Sequence, residues 1–216
     1  MSDKDVVLLP GIWMPGSEMQ FLRHRLESEH GFAGHLFSYA SVRGTLDENA
    51  RSLAGFLQKR GLHEAHLVGH SLGGVVALRA LSLAPALTSG RVVCLGSPLR
   101  GSRAARHLSE RDWGRRILGH TLSEGVLESA AEEWALHVTG SRDVAVIAGT
   151  RPMGMGRLFA SFDGDNDGTV AVAETRLPGI RDHLCLPVSH TGMVLSHDVA
   201  DQAAAFLLRG EFLREA

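Results

Sequence analysis

The sequence predicts an α/β fold, in which a mostly parallel sheet of about six strands carries helices on both faces and a short helical cap. Three observations support this fold class. Short apolar segments alternate with longer amphipathic segments, which is typical of strands that alternate with helices. Glycine or proline residues end most of the apolar segments. Residues 101–141 interrupt the alternation with a helical pattern and no strand-like segment, so we expect them to form the cap.

The predicted elements follow one another as in a single domain that spans residues 1–216. The apolar segments predict strands at residues 5–9, 35–39, 65–68, 91–95, 144–148 and 182–187. Helical periodicity predicts helices at residues 17–29, 45–61, 75–84 and 198–209. Ser17 is the expected N-cap of the first helix. Thr45 and Glu48 predict a capping box at the start of the second helix.

The composition excludes several classes of protein. Hydrophobic residues make up 44% of the chain and charged residues 21%, which is too apolar for a disordered protein. The formal net charge of −2 gives no reason to expect a nucleic-acid partner. No apolar run reaches the roughly 18 residues of a transmembrane helix, and the run at residues 6–9 is too short for a signal peptide. We therefore expect a cytoplasmic protein without stable membrane insertion. Nothing in the sequence indicates its oligomeric state.

Two cysteines, Cys94 and Cys185, each lie in an apolar segment. Free cysteine behaves as a small hydrophobic residue, so this placement predicts buried, reduced thiols.

The pentapeptide Gly69–Gly73 contains the first candidate catalytic residue, Ser71. A G-x-S-x-G pattern alone arises readily by chance, but this one lies between a predicted strand and a predicted helix, as a nucleophile elbow requires. The turn of an elbow is so tight that glycine is needed two positions before and after the serine. Amides at the start of the helix favour a developing negative charge, which makes Leu72 N–H a candidate oxyanion donor. The alternative is an ordinary turn whose serine caps the helix.

A serine hydroxyl needs a neighbouring base before it can act as a nucleophile. The chain has 12 histidines, so position must identify the base. His190 is the leading candidate because it lies in the loop beyond the last predicted strand. His183 lies inside that strand, where we expect it to pack against its neighbours. His197 lies beside the start of the final helix and can serve as part of its cap.

The segment 163–168 offers several carboxylates that could orient the histidine. Asp167 is the leading candidate because Gly168, which follows it, lets the loop turn back. Asp165 is the second candidate. The chosen carboxylate would accept the imidazole N–H, fix the tautomer and stabilise the imidazolium.

The same segment also matches the pattern of a calcium-binding EF-hand loop. Asp163, Asp165 and Asp167 occupy its first, third and fifth positions, with Gly168 at the sixth and Glu174 at the twelfth. An EF-hand needs a helix on each side, whereas the flanking sequence contains helix-breaking glycine and proline residues. Calcium binding by residues 163–174 therefore stays an alternative, in which Asp167 could not also orient the histidine.

Together these motifs resemble the lipase/esterase branch of the α/β-hydrolase superfamily, especially its small bacterial members. The resemblance includes the elbow, the segment after the fourth strand, the acid loop and the histidine loop, at residues 69–73, 96–102, 166–170 and 189–193. It implies the α/β-hydrolase fold and cleavage of carboxylic esters through an acyl-enzyme, without a metal or another cofactor. One departure is Pro10, because relatives usually have histidine before the glycine of the oxyanion loop.

In that fold the loop after the first strand supplies the second oxyanion amide. Ile12 N–H is the leading candidate here, and Trp13 N–H is the second. Candidate residues of the substrate pocket are Trp13, His70 and Met193.

We therefore predict a serine hydrolase with a Ser71–His190–Asp167 triad, acting on a small-molecule ester or a lipid-like substrate. An acyltransferase or thioesterase would use the same three residues. A non-catalytic module with a calcium-binding loop at residues 163–174 is the alternative from a different class.

Overall fold

The computed structural model describes residues 4–102, 105–106, 109, 120–121, 131–153 and 164–214. They form a six-stranded sheet in which every neighbouring pair of strands is parallel. The strands are β1 (Asp5–Leu9), β2 (Ala33–Leu36), β3 (His66–His70), β4 (Val92–Leu95), β5 (Val144–Gly149) and β6 (Asp182–Leu186). The prediction of an α/β fold with a parallel sheet is confirmed.

The strand order, β2-β1-β3-β4-β5-β6, places a reversal beside β1. From β1 the chain first moves to the edge strand β2 and then returns to β3 on the other side of β1. At such a reversal the loops that leave the two central strands diverge to opposite faces and open a crevice at the carboxyl ends. For this strand order we expect such a crevice between the loop after β1 and the turn after β3.

The described helices cover both faces of this sheet. They are α1 (Gln20–His30), α2 (Leu46–Arg60), α3 (Leu72–Leu83), α4 (Ala131–Trp134), α5 (Leu136–Ser141) and α6 (His197–Arg209). Three 3₁₀ turns, at Ser17–Met19, Val172–Thr175 and Thr191–Leu195, lie in the connections.

Successive residues of a strand point to opposite faces, and both faces of this sheet are apolar because helices cover both. On β3, Leu67 packs with the residues of α2 and α3, whereas Val68 packs with those of α1 and α6. The same alternation directs His70 toward the face of α1 and α6. It directs Gly69 toward α3.

The predicted capping box at the second helix is confirmed. Thr45 Oγ1 accepts a hydrogen bond from Glu48 N–H (3.1 Å), and Glu48 Oε2 accepts one from Thr45 N–H (2.9 Å). Two termini also agree with the sequence. Gly61 and Gly210 end α2 and α6 in the left-handed conformation that glycine adopts easily.

The start of the first helix differs from the prediction. Ser17 is not an N-cap, because it lies inside a 3₁₀ turn that Gly16 begins with a φ of 97°. The α-helical hydrogen bonds begin only at Gln20, without a side-chain cap. Gly16 adopts a positive φ without steric cost, so the chain enters the 3₁₀ turn there and no serine cap is needed.

The second strand also differs from the prediction of residues 35–39. It covers Ala33–Leu36, because its partners on β1 run only from Asp5 to Leu8. Tyr39 therefore lies beyond the strand, in a segment that contacts the loop after β1. Cys185 is exposed instead of buried, because β6 is an edge strand. Cys94 is buried in β4, as predicted.

Most of the predicted cap, residues 101–141, lies outside the described residues. His120 N–H donates to the carbonyl oxygen of Val42 (3.1 Å), which places this point beside the loop after β2. Residues 131–141 instead approach the C-terminal end of α3, where the Ser82 hydroxyl donates to Trp134 O (3.3 Å). That end of α3 lies at the amino edge of the sheet, so these residues form part of the crossover from β4 to β5. Within the described residues, no helix is long and apolar enough to cross a membrane.

Candidate active site

Ser71 joins β3 directly to α3 in a strained turn. Its backbone has φ 53° and ψ −122°, a conformation that is costly for a residue with a side chain. Its N–H donates to Leu95 O (2.8 Å), which fixes the turn against the neighbouring strand β4. The Ser71 side chain makes no capping hydrogen bond to α3, so the alternative of an ordinary capping serine does not describe this turn.

Glycines make the turn possible. A Cβ atom at Gly69 would overlap the backbone nitrogen of Gly74, and one at Gly73 would overlap the carbonyl oxygen of Leu9. A Cβ atom at Gly74 would overlap Oγ of Ser97. The backbone of α3 thus packs directly on β1 and on the segment after β4, as the steric interpretation of the pentapeptide requires.

The structure brings Asp167 and His190 together. Asp167 Oδ2 lies 2.7 Å from Nδ1 of His190, and the two residues are 1% and 8% exposed. Because a carboxylate only accepts hydrogen bonds, Nδ1 carries the hydrogen and Nε2 is left as the basic nitrogen. The other carboxylate oxygen, Oδ1, accepts from the N–H groups of Thr169 (2.9 Å) and Val170 (2.7 Å). The backbone N–H of His190 also donates to Asp167 O (2.9 Å).

The loop after β1 is tied to the segment that follows β2. The Tyr39 hydroxyl donates to Pro10 O (2.8 Å), and Trp13 N–H donates to Ser41 Oγ (3.3 Å). Burial, and then the carboxylate of Glu18, raise the pKa of Tyr39, so its hydroxyl stays a donor. Because Ser41 accepts from the Trp13 amide, the geometry favours Ile12 over Trp13 as the donor to an oxyanion.

The second candidate donor, Leu72 N–H, opens α3. The first amides of a helix have no partner within it and carry partial positive charge. A Cβ atom at Gly11 would lie 3.2 Å from Cβ of Ser71, so the loop after β1 passes close to the serine. The two candidate amides therefore belong to backbone segments that meet at Ser71.

Two of the three predicted pocket residues are buried. His70 is 1% exposed and Met193 is fully buried in the core cluster on the α1 and α6 face. Their buried positions follow from the strand alternation at His70 and from the packing of the 3₁₀ turn that contains Met193. Trp13 is 56% exposed, with a φ of 61°.

The alternative bases lie in structural roles. His183 is half-buried on β6, with Nε2 2.9 Å from Oγ1 of Thr175. The ring of His197 packs against Phe21, with centroids 5.3 Å apart, and Ser196 caps α6 in its place.

The carboxylates of the calcium alternative mostly face protein donors. Both oxygens of Asp167 accept the hydrogen bonds described above, and Glu174 Oε2 accepts from Ala171 N–H (2.8 Å). Asp165 is exposed, and Asp163 lies outside the described residues. This geometry favours an acid loop over an EF-hand loop.

Another cluster of metal-ligating groups lies far from Ser71 in the chain, at Glu29, His30 and Asp201. The guanidinium of Arg25 already pairs with Glu29 (2.5 Å) and Asp201 (3.3 Å). The positive charge of Arg25 therefore already neutralises the carboxylates of this cluster.

Sequence reasoning missed the residues that support the site. Tyr39 and Ser41 position the loop after β1, but neither belongs to a recognisable motif. Gly96 and Gly149 make room for the acid, since a Cβ atom at Gly96 would lie 3.0 Å from Oδ2 of Asp167 and one at Gly149 would lie 2.7 Å from its Cβ. Both glycines lie where a strand ends, directly after β4 and at the last residue of β5, and a glycine at such a position indicates a close approach by another part of the chain.

We expect Gly73→Ala to lower the free energy of unfolding by about 1–3 kcal/mol, because the new Cβ atom overlaps Leu9 O. Gly55→Ala is the matched control on α2, where a Cβ atom meets nothing within 4 Å. It should raise the free energy of unfolding by about 0.5–1 kcal/mol. Urea denaturation measures both, and equal effects of the two substitutions would contradict this account of the turn.

His70 makes stability depend on pH. Burial, and then the charge of His190, lower the pKa of His70 from 6.5 to about 3. Between these values the unfolded chain binds a proton that the folded chain does not, so the stabilisation from this group is complete above pH 6.5 and is lost as the pH falls. From pH 7 to pH 5 the loss is about 2 kcal/mol. We expect His70→Gln to reduce the pH dependence of unfolding by this amount in urea titrations. An unchanged dependence would contradict the lowered pKa.

Comparisons with known proteins agree with this architecture. The model of the alpha/beta hydrolase family matches residues 6–211. The fold resembles that of Bacillus licheniformis lipase BlEst2 in mature form, with a TM-score of 0.68 and 18% identity over 88% of this chain and 86% of the lipase. It also resembles carboxylesterase CesB (YbfK) from Bacillus subtilis, with a TM-score of 0.61 and 17% identity over 97% of this chain and 85% of that one.

A third structure is the metagenomic carboxyl esterase MGS0156, with a TM-score of 0.67 and 20% identity. The match covers 89% of this chain and 66% of the esterase. No curated protein sequence matches this chain. At these identities the structures establish the fold, and the family model covers almost the whole chain. The chain belongs to the alpha/beta hydrolase family.

Proposed function

We propose that the protein hydrolyses carboxylic esters through an acyl-enzyme on Ser71. The observation that carries this proposal is the buried Asp167–His190 hydrogen bond of 2.7 Å, formed at the sheet edge where Ser71 occupies a strained elbow. A carboxylate that accepts the Nδ1 proton leaves Nε2 of His190 free to take the proton of a serine hydroxyl. The similar structures are a lipase and two carboxyl esterases, which supports an ester as the substrate.

In the first half of the reaction, His190 Nε2 takes the proton of Ser71 as its Oγ attacks the acyl carbon. The negative charge that develops on the carbonyl oxygen is stabilised by the amides of Ile12 and Leu72. Each such donor is worth about 10²–10³-fold in rate. When the tetrahedral intermediate collapses, the bond to the alkoxy oxygen breaks and His190 returns the proton to the departing alcohol.

In the second half, water replaces the alcohol. His190 takes a proton from the water as the water oxygen attacks the ester carbon of the acyl-enzyme. The bond to Ser71 Oγ then breaks, the serine regains its proton and the carboxylic acid is released. If an alcohol or a thiol attacks in place of water, the same residues transfer the acyl group. Product analysis with p-nitrophenyl esters, with and without an added alcohol or thiol, separates hydrolysis from transfer. We expect free acid as the main product.

Ser71→Ala should abolish covalent labelling by a fluorophosphonate probe and lower kcat for p-nitrophenyl esters at least about 10⁴-fold, because it removes the attacking oxygen. Ser52→Ala, at an exposed position on α2, is the matched control and should label like the wild type. Labelling of Ser71→Ala at the wild-type rate would refute the proposal. A series of acyl lengths in the same assay defines the preferred chain.

Asp167→Asn should lower kcat about 10⁴-fold, because an amide no longer holds the imidazole in the required tautomer. Asp165→Asn is the control, since that side chain is exposed two residues away. It should keep activity within about twofold, as surface substitutions usually do. If the two variants exchanged these effects, Asp165 would be the acid and the assignment of Asp167 would be wrong.

A further inference from the structure

His70 is one residue away from the proposed nucleophile but does not face the substrate side of the turn. It is the last residue of β3 and lies on the same face of the sheet as Val68, toward α1 and α6. Its side chain is 1% exposed. The contacts of this ring are with the protein interior.

The ring of His70 holds the backbone of His190. Nε2 of His70 lies 2.9 Å from the carbonyl oxygen of His190, and the two ring centroids are 4.8 Å apart. A carbonyl oxygen only accepts, so Nε2 of His70 carries the hydrogen. His190 is then held at three points. Asp167 holds its N–H and its Nδ1, and His70, from the strand of the nucleophile, holds its carbonyl oxygen.

The remaining nitrogen of His70 is also informative. With the hydrogen on Nε2, Nδ1 is an unprotonated acceptor, and it is buried without a hydrogen-bond partner among the described residues. It points toward the loop after β1, since a Cβ atom at Gly11 would lie 3.3 Å from it. An unsatisfied buried acceptor destabilises the fold and calls for an explanation.

We explain the unpaired Nδ1 of His70 by the need for this ring to stay uncharged beside His190. His190 becomes an imidazolium when it takes the serine proton, and a second positive charge at this distance would oppose that step. Burial keeps His70 neutral, with its pKa lowered to about 3. The ring therefore offers an N–H donor that carries no charge in the working pH range. An arginine or lysine donor at this place would lack this property.

We propose that His70 is a positioning residue for the hydrolase reaction, which as a neutral N–H donor fixes the His190 loop against the strand that carries Ser71. This role rests on the proposed function of Ser71 and His190. It replaces the predicted role of His70 in the substrate pocket.

Two substitutions separate the donor from the bulk of the ring. His70→Gln keeps an N–H group at a similar reach, and His70→Phe keeps an aromatic ring without a donor. For variants that remain folded by circular dichroism at the assay temperature, we expect His70→Phe to lower kcat about 10- to 100-fold with KM within about twofold, because the base loses its alignment. His70→Gln should restore most of kcat. Equal kcat values for wild type and His70→Phe, or equal losses in both variants, would overturn the proposal.

Proton NMR tests the same role without turnover. In the wild type, the Nδ1 proton of His190 should give a protected downfield signal, and ¹⁵N-labelled His70 should show the Nε2–H tautomer unchanged between pH 5 and pH 8. His70→Phe should speed the solvent exchange of the His190 proton, and His70→Gln should not. Titration of His70 in this range, or an Nδ1–H tautomer, would overturn the proposal even if His70→Phe does not fold.

The two arms distinguish the two proposals. If the wild type neither turns over esters nor labels at Ser71, the proposed function fails, while the exchange of the His190 proton still decides whether His70 holds the loop. If esters are turned over and His70→Phe leaves the solvent exchange of the His190 proton unchanged, the proposed function stands and the positioning role fails.

Discussion

The packing of the Ser71 turn against the loop after β1 is the constraint on which the rest of the candidate site depends. A Cβ atom at Gly73 would overlap the carbonyl oxygen of Leu9, and one at Gly11 would lie 3.2 Å from Cβ of Ser71, so the start of α3 and the loop after β1 approach each other closely. Ser71 and Trp13 are the two non-glycine residues with positive φ in the described ranges. Both strained residues thus lie at this meeting point, where the surrounding structure imposes conformations that an isolated chain would avoid.

A second group of contacts fixes Asp167 and His190 relative to each other and to that turn. The Asp167 carboxylate is held by two backbone amides as well as by His190, which fixes its orientation before any substrate binds. Gly96 and Gly149 bring the ends of β4 and β5 against the same side chain. The ends of two neighbouring strands, β4 and β5, therefore shape the space around one carboxylate. In the proposed reaction, a carboxylate fixed in this way stabilises the positive charge that develops on His190 without having to reorient.

The sequence was sufficient to predict the elements whose signals are local. The elbow pentapeptide and the capping box at Thr45 depend on residues close together in the chain, and both lie where they were expected. The failures concern properties that neighbours in space decide. Ser17 does not cap the helix, because Gly16 begins a 3₁₀ turn that contains it. Cys185 is exposed because β6 is at the edge of the sheet, a position that its apolar sequence does not indicate. The pocket roles of His70 and Met193 stay predictions, and strand alternation and core packing bury both residues. The roles of Asp167 and His190 remain predictions, although the structure places the two side chains together.

The hydrogen bond from Tyr39 to Pro10 has a consequence for the way activity is lost. Tyr39 follows β2, which within the described part of the chain is an edge strand paired with β1 alone. Edge elements open by local fluctuations at lower free energy than the centre of a sheet. Opening of β2 would remove the contacts of Tyr39 and Ser41 with the loop after β1, while β3 and β4 still hold Ser71 and Gly96 beside Asp167. Mild heating or denaturant should therefore silence the enzyme in a partly open state that keeps most of its native structure, so inactivation would precede cooperative unfolding.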